Sequence, residues 1–261
     1  MALLRSRRRT SGSRSVAEKA RGTNSRDQAM SPSDYLAPLE EALRKMSNPE
    51  RGAQMQAYMR DLYPYYGIQA KPRADLLKEY LKTAGLPKNV EAVVEECWER
   101  DEREWQYIGL ELADRAHRKK ILEVPMELFR FMIISKSWWD TVDLVASNAV
   151  GREMKKAEDF RPIMEDWLYS GNLWLQRSTL IFQLKYKSDT DIEWLHQAIS
   201  ELKGNKDFFI QKAIGWALRQ YAWIDADWVR REVTQQNLDG IARREAPRPT
   251  KQRRCADPWR L

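Results

Sequence analysis

Aromatic and polar side chains recur every 35 residues in the second half of the chain, and this spacing limits the folds open to it. Trp139, Trp174 and Phe209 follow one another at that interval, as do Gln176 and Gln211. Between regularly placed prolines and glycines, apolar residues recur at the i, i+3, i+4 spacing of amphipathic helices. A period of about 35 to 40 residues built of helix pairs is typical of α-solenoids. The sequence therefore predicts an all-α protein, an α-solenoid of HEAT-like helical repeats, with roughly twelve helices and a concave face that serves as the binding surface.

Trp139 and Asp143 lie four residues apart in the run SWWDTVD, so on a helix they lie side by side. An indole face and a carboxylate both attract cations, which makes the pair a candidate site for a positive charge. Asp143 can equally lie on the surface or form a structural ion pair with Arg177. Trp138 faces about 100° away from Trp139 on a helix and is expected in the core. Asp140 is expected as an N-cap or first-turn acid.

The net charge of +7 is concentrated at the two ends of the chain. Residues 1–30 hold eight Lys or Arg against two Asp or Glu, and residues 241–261 hold seven against two. Residues 31–240 therefore carry a net charge of −4. A nucleic-acid partner would need a basic surface gathered on one face of the folded part.

Three segments are expected along the chain. The Arg- and Ser-rich composition of residues 1–30 predicts a disordered basic extension, although it also resembles a transit peptide. Residues 31–246 are expected to form the helical-repeat domain. Pro247 and Pro249 end the last helix because proline cannot continue one, so residues 247–261 are expected to be a loose basic tail.

The composition disfavours several kinds of site. Cys97 and Cys255 cannot form a disulfide framework and fit a reducing compartment, so a cytoplasmic protein is expected, associated with the nucleoid if it is bacterial. His117 and His196 are far apart, which argues against a zinc site, and Ser-His-Asp or Cys-His catalysis is equally poorly supported. No apolar run approaches the roughly 18 residues of a membrane span, so no membrane partner is expected.

Three longer motifs stand out: Ser137–Asp143 (SWWDTVD), Leu173–Lys187 (LWLQRSTLIFQLKYK) and Asp207–Ala222 (DFFIQKAIGWALRQYA). They resemble the AlkD family of HEAT-repeat DNA glycosylases, which repair alkylated DNA. The segment Ala57–Asp61 (AYMRD) and the pair Gly67-Ile68 fit the first helical repeat of the same family. The resemblance covers about residues 33–246.

The resemblance implies a monofunctional DNA glycosylase of base excision repair that uses no metal and no cofactor, and we expect it to act as a monomer. Its implied substrate is double-stranded DNA carrying cationic alkylated purines, such as 3-methyladenine and 7-methylguanine, and no deep pocket for a flipped base is needed. By matching motifs, Asp143 is the catalytic carboxylate, and Trp139 and Trp216 lie against the damaged nucleotide. Arg177 is a basic residue of the cleft, and Tyr58 contacts DNA.

The chemistry of that reaction suits these residue types. An alkylated purine is already cationic and leaves without a general acid, while positive charge develops on the deoxyribose as an oxocarbenium ion. A fixed carboxylate stabilises that charge, and aromatic faces contribute further. Arg177 would pair with a phosphate or hold Asp143 in position. The cations expected to contact DNA are Lys185, Lys187, Lys212, Arg219, Arg243 and Arg244.

Two other functions are compatible with the sequence. A non-catalytic HEAT-repeat scaffold would bind DNA without cleaving the glycosidic bond, and a protein-binding solenoid would present an acidic or apolar groove. Packing between repeats explains Trp174 and Phe209 under any of these functions. Taken alone, Trp216 and Tyr58 also fit packing positions.

Overall fold

Residues 30–119 and 124–246 are described by the structure, a computed structural model. Over these ranges the chain is helical and contains no strand. This confirms the predicted fold class, an α-solenoid of helical repeats. No helix in the described ranges is both long and apolar enough to cross a membrane. The predicted basic extension and tail lie outside the described residues, apart from Met30.

The helices follow one another with short connections. They are α1 (Pro32–Met46), α2 (Pro49–Tyr58), α3 (Ala70–Ala84), α4 (Val90–Glu99), α5 (Arg103–Lys119), α6 (Met126–Ile134), α7 (Trp139–Leu144), α8 (Gly151–Lys156), α9 (Arg161–Tyr169), α10 (Leu173–Ile181), α11 (Ile192–Leu202), α12 (Phe208–Tyr221), α13 (Ala226–Gln235) and α14 (Gly240–Glu245). A π-helical segment (Val145–Val150) joins α7 to α8 without a break, and a 3-10 helix (Lys187–Asp189) follows α10. The described residues thus hold fourteen α-helical segments rather than roughly twelve, partly because one long helix is divided by the π segment.

Side-chain caps and prolines set where several helices begin and end. Asn172, Asp191 and Asp207 accept backbone N–H groups in the first turns of α10, α11 and α12. These bonds satisfy donors that the start of a helix leaves unpaired. Pro49 is the first residue of α2, where its missing N–H costs nothing. The last helix, α14, ends at Glu245, just before the prolines that were predicted to stop it.

The 35-residue repeat rests on glutamine side chains at equivalent positions. Gln176 and Gln211 each donate from Nε2 to a backbone carbonyl eight residues earlier, at 3.1 Å in both cases. Gln106, two repeat lengths before Gln176, donates in the same way to the carbonyls of Cys97 and Arg100. Each amide ties the second helix of a pair to the end of the first, in α4–α5, α9–α10 and α11–α12.

Aromatic residues at the helix starts pack together in the second half of the chain. The rings of Trp174 and Phe209 are 5.0 Å apart, and Trp138 lies 5.7 and 5.0 Å from them, measured between ring centroids. The packing role predicted for Trp174 and Phe209 is therefore confirmed. Trp138 joins the same cluster but is only half-buried, so the predicted core position is correct only in part.

The backbone at Gly67 gives a test of this fold. Gly67 has φ +84°, and a Cβ there would meet the carbonyl oxygen of Asn48 and, at 2.7 Å, the nitrogen of Gly52. Gly171 also has a positive φ, +70°, but a Cβ there would meet nothing within 4 Å. We expect Gly171→Ala to lower the unfolding free energy by about 1–2 kcal/mol, because an alanine there meets no neighbour but must adopt the left-handed backbone conformation. Gly67→Ala should cost clearly more in urea denaturation, and equal losses in the two variants would contradict the close packing at Gly67.

Candidate active site

Asp143 and Arg177 form a buried ion pair between α7 and α10. Arg177 donates from Nε to Oδ1 of Asp143 at 2.7 Å and from Nη2 to Oδ2 at 2.8 Å. Only 4% of the Asp143 side chain and 5% of the Arg177 side chain are exposed. Nη1 of Arg177 donates to the carbonyl of Phe209 in α12. One guanidinium therefore joins three helices. An Asp143–Arg177 contact was expected both as a structural ion pair and as a way to hold a catalytic carboxylate, and its burial excludes a surface position for Asp143.

The charge of Asp143 depends on this partner. Burial raises the pKa of the Asp143 carboxyl above its ordinary value, and the nearby Asp140 carboxylate adds to the rise. Arg177 opposes both effects through its charge and its hydrogen bonds. A carboxylate removed from water stays ionised when a guanidinium compensates it, so Arg177 is what allows a negative charge at this position.

Trp139 and Tyr58 are brought together beside this pair. Trp139 is the first residue of α7, one helical turn before Asp143. The rings of Tyr58 and Trp139 meet edge to face, with centroids 6.4 Å apart. Tyr58 is the last residue of α2, and 74% of its surface is exposed. Such an exposed ring is not a core packing residue, which removes the packing alternative for Tyr58.

Arg60 is an exposed cation beside Trp138, the residue before Trp139, and it was not predicted from the sequence. It follows Tyr58 by two residues, within the run AYMRD, and its side chain is exposed. Its guanidinium carbon lies 6.0 Å from the ring centroid of Trp138. Both Arg60 and Asp61 have φ +57°, an unusual conformation for residues with a side chain. The signal available in the sequence was a basic residue in a motif already linked to DNA contact.

Trp216 lies further along α12. It is half-buried against the core, seven residues after Phe209, whose carbonyl Arg177 binds. Seven residues are close to two helical turns, so Trp216 lies on the same side of α12 about 10 Å away.

Two of the predicted DNA-binding cations flank Trp216 and share one acid. Nζ of Lys212 lies 2.9 Å from Oε1 of Glu245, and Nη1 of Arg219 lies 2.6 Å from Oε2 of the same residue. Lys212 precedes Trp216 by four residues, and Arg219 follows it by three. The hydrogen bond from Lys212 is the main reason why the pKa of the Glu245 carboxyl is lowered. The Glu245 carboxylate therefore lies between Lys212 and Arg219, at the position where a phosphate bound by both cations would lie.

The other predicted cations lie on separate elements. Lys185 follows α10 and donates from Nζ to the side-chain oxygen of Asn148 in the π-helical segment. Lys187 is exposed at the start of the 3-10 helix. Arg243 and Arg244 are exposed in the last turn of α14.

The turn that follows Asp143 is unusual. The π-helical segment begins two residues later, and π turns occur frequently at functional sites. Two of its side chains bond to carbonyls of the preceding turn: Ser147 Oγ donates to the carbonyl of Asp143 at 2.7 Å, and Asn148 Nδ2 donates to that of Leu144 at 2.8 Å. Among the described residues, no group of three or more His, Cys, Asp or Glu is placed to hold a metal ion.

The chain is similar to DNA alkylation repair enzymes in both sequence and structure. A family model described as DNA alkylation repair enzyme matches residues 39–249. A solved structure described as a predicted DNA alkylation repair enzyme from Enterococcus faecalis is 31% identical to this chain. The match covers 79% of this chain and 98% of that one, with a TM-score of 0.69. No curated protein matches the chain.

Replacing Arg177 tests the burial of the pair. Arg177→Met leaves Asp143 buried and uncompensated, so the unfolding free energy at neutral pH should fall by about 3–5 kcal/mol. Without the guanidinium, the folded-state pKa of Asp143 rises further above its unfolded value. The loss should therefore be largest at neutral pH and shrink as the pH falls and the carboxyl is protonated.

The matched control is Arg161→Met. Arg161 pairs with Asp191 at 2.8 Å, but their side chains are 39% and 25% exposed. Exposed pairs contribute about 0–1 kcal/mol, so this variant should lose little stability at either pH. The unfolding free energies of both variants are measured by denaturant unfolding at neutral and at acidic pH. A loss for Arg177→Met no larger than that of the control would contradict the buried pair.

Proposed function

The chain belongs to the family of DNA alkylation repair enzymes, and on that basis we propose that it is a DNA glycosylase of base excision repair. The proposed reaction is hydrolysis of the N-glycosidic bond of cationic alkylated purines, 3-methyladenine and 7-methylguanine, in double-stranded DNA. The observation that carries the proposal is the buried carboxylate of Asp143, held at two points by Arg177 and one helical turn from the ring of Trp139.

A fixed negative charge is what this reaction requires. The alkylated base leaves as a neutral purine, so no general acid is needed. Positive charge moves to the deoxyribose, and a carboxylate already in place stabilises it without reorganising during the reaction. The guanidinium of Arg177 restricts the rotation of the Asp143 carboxylate, which favours such preorganisation. The same carboxylate can orient the attacking water.

Aromatic rings complete the proposed site. The face of Trp139 would lie against the cationic nucleotide, because the electrons of an indole face attract positive charge. Tyr58, in edge contact with Trp139, would extend this surface toward the DNA strand. Trp216 would provide a second ring from α12. The catalytic set that we propose is Asp143, Trp139, Arg177 and Trp216.

We propose that the reaction needs no deep pocket for the base. A cavity of about 240 Å³ is lined by residues of α10, α11 and α12 and the loops after them, including Leu180, Lys187 and Trp223. None of the four proposed catalytic residues lines it. The damaged nucleotide would instead be approached from the surface that carries Tyr58 and Trp139.

DNA would be held by cations around this surface, which we place on the concave face of the solenoid. We propose that Tyr58, Arg60 and the predicted basic residues contact the phosphates: Lys185, Lys187, Lys212, Arg219, Arg243 and Arg244. The protein would act as a monomer in the cytoplasm, with residues 31–246 as its glycosylase domain between a basic extension (1–30) and a basic tail (247–261).

The central test is release of 7-methylguanine from methylated duplex DNA under single-turnover conditions. Asp143→Asn should raise the barrier to base release by about 2–4 kcal/mol, because the developing sugar cation loses its carboxylate. DNA binding should be largely retained. Asp114→Asn is the control, since it makes the same change in an aspartate of α5 that also pairs with an arginine, Arg152.

Unchanged release by Asp143→Asn would show that the carboxylate has been assigned wrongly. Salt-sensitive DNA binding by the wild type without any base release would instead favour the non-catalytic scaffold.

Glu245 allows a separate test of the DNA surface. Glu245→Gln removes the carboxylate shared by Lys212 and Arg219, so both cations become available to phosphates. DNA affinity should rise, and the slope of log K against log salt should steepen by about 0.9 for each phosphate gained. Glu79→Gln makes the same charge change in the Lys82–Glu79 pair of α3. Identical slopes for the two variants in fluorescence anisotropy titrations would argue against phosphate binding at Lys212 and Arg219.

A further inference from the structure

A second buried arginine–aspartate pair lies on α7, three residues before Asp143. Arg103 of α5 donates from Nε to Oδ2 of Asp140 at 3.0 Å and from Nη2 to Oδ1 at 2.6 Å. The Arg103 side chain is fully buried, and only 6% of the Asp140 side chain is exposed. The two-point geometry repeats that of Asp143 and Arg177, with the guanidinium arriving from a different helix.

Neighbouring groups complete this second pair. Tyr107 donates its hydroxyl to Oδ2 of Asp140 at 2.6 Å. Arg103 also donates to the carbonyl of Lys136 at 2.7 Å and to the hydroxyl of Thr141 at 2.9 Å. The ring of Tyr63 lies 4.2 Å from the guanidinium carbon. With its polar atoms engaged inside the protein, the pair is better suited to hold the chain than to bind a ligand.

What the pair holds is the first turn of α7. The N-cap of this helix is Trp138, whose side chain makes no capping hydrogen bond. A helix start without such a cap leaves its first N–H groups unpaired and is prone to fray. Asp140 is the second residue of α7, directly after Trp139. Its attachment to α5 therefore fixes the turn that carries Trp139 on one side of Asp140 and Asp143 on the other.

The two pairs also have to be electrically balanced. The Asp140 carboxylate lies one turn from Asp143 and disfavours the ionised form of that carboxyl. The charged groups that act on Asp143 are Arg177 from α10 and Asp140 from its own helix. Arg103, from α5, neutralises Asp140 and so limits the repulsion between the two carboxylates.

We propose that Arg103 and Asp140 are positioning residues of the active site, which hold Trp139 and Asp143 in place. The positive charge of Arg103 also compensates the Asp140 carboxylate, which lies one turn from Asp143. This inference rests on the proposed glycosylase function. Neither residue would touch the reacting nucleotide, so both would act through Trp139 and Asp143.

Two single substitutions should change the protonation of Asp143 in opposite directions. Asp140→Asn removes a negative charge and leaves the positive Arg103, so the pKa of Asp143 should fall. Arg103→Met leaves the negative Asp140 without its partner, so the pKa of Asp143 should rise. The titration is followed by NMR on protein labelled with ¹³C at the aspartate carboxyls, and Asp143→Asn assigns the signal. A merely structural defect would not produce shifts of opposite sign.

A double variant covers the case in which the single variants do not fold. Arg103→Met/Asp140→Leu removes the pair without leaving a buried charge, a change that buried ion pairs often tolerate. Base release from bound, methylated duplex should slow by about tenfold or more, because Trp139 and Asp143 lose their anchor. DNA affinity should stay within a few-fold of the wild type. Tyr107→Phe, which keeps both charges, should leave the pKa of Asp143 unchanged and slow release less.

The outcomes separate this inference from the proposed function. Opposed pKa changes with slowed release by the double variant support the positioning role. Changes of the same sign, no change, or wild-type release by the double variant would overturn it. Failure of the wild type to release any base would overturn the glycosylase proposal, whereas the NMR titration would still decide whether Arg103 and Asp140 control the charge of Asp143.

Discussion

The candidate site depends on the two-point ion pair between Asp143 and Arg177. Burial makes an isolated carboxylate costly, and the guanidinium offsets part of that cost while fixing the direction of both oxygen atoms. Because Arg177 also binds the carbonyl of Phe209, the pair ties α7 to α10 and α12. Under the proposed function, a negative charge held in this way would be in place before the substrate binds. Asp143 and Arg177 come together because consecutive helical repeats stack on each other.

The same helix carries a second pair, and the two have different neighbours. Arg103 reaches Asp140 from the preceding repeat, and Arg177 reaches Asp143 from the following one. The short helix α7, which carries both aspartates, also carries Trp139 and continues into the π-helical segment. Carboxylates, an indole ring and a modified helical turn are thus concentrated in a few residues. Under the proposed function, DNA binding would have to come from scattered surface cations, since residues 31–240 carry a net negative charge.

Local features of the site could be read from the sequence, and long-range ones could not. The 35-residue period indicated the repeat fold, and the four-residue spacing of Trp139 and Asp143 placed both on one helical face, because such relations depend only on helix geometry. Family resemblance pointed to Arg177 and its chemistry left two partners open, a phosphate or Asp143; only the packing of α7 against α10 shows the contact with Asp143. Arg103 was missed for the same reason: it is 37 residues from Asp140, and its sequence neighbours give no sign of that contact. The pairing of Lys212 and Arg219 with Glu245 likewise depends on how α14 packs on α12.

The most direct test of whether Asp143 stabilises a sugar cation compares two analogues of the abasic sugar in duplex DNA. A pyrrolidine nucleotide carries a positive charge where the oxocarbenium ion would form, and a tetrahydrofuran nucleotide has the same shape without the charge. Transition-state mimics bind more tightly than neutral ligands when the site is built for the charge. The wild type should prefer the cationic duplex by about tenfold or more, and Asp143→Asn should lose that preference. Equal affinity of the wild type for both duplexes, or an unchanged preference in Asp143→Asn, would contradict the claim that Asp143 holds a sugar cation.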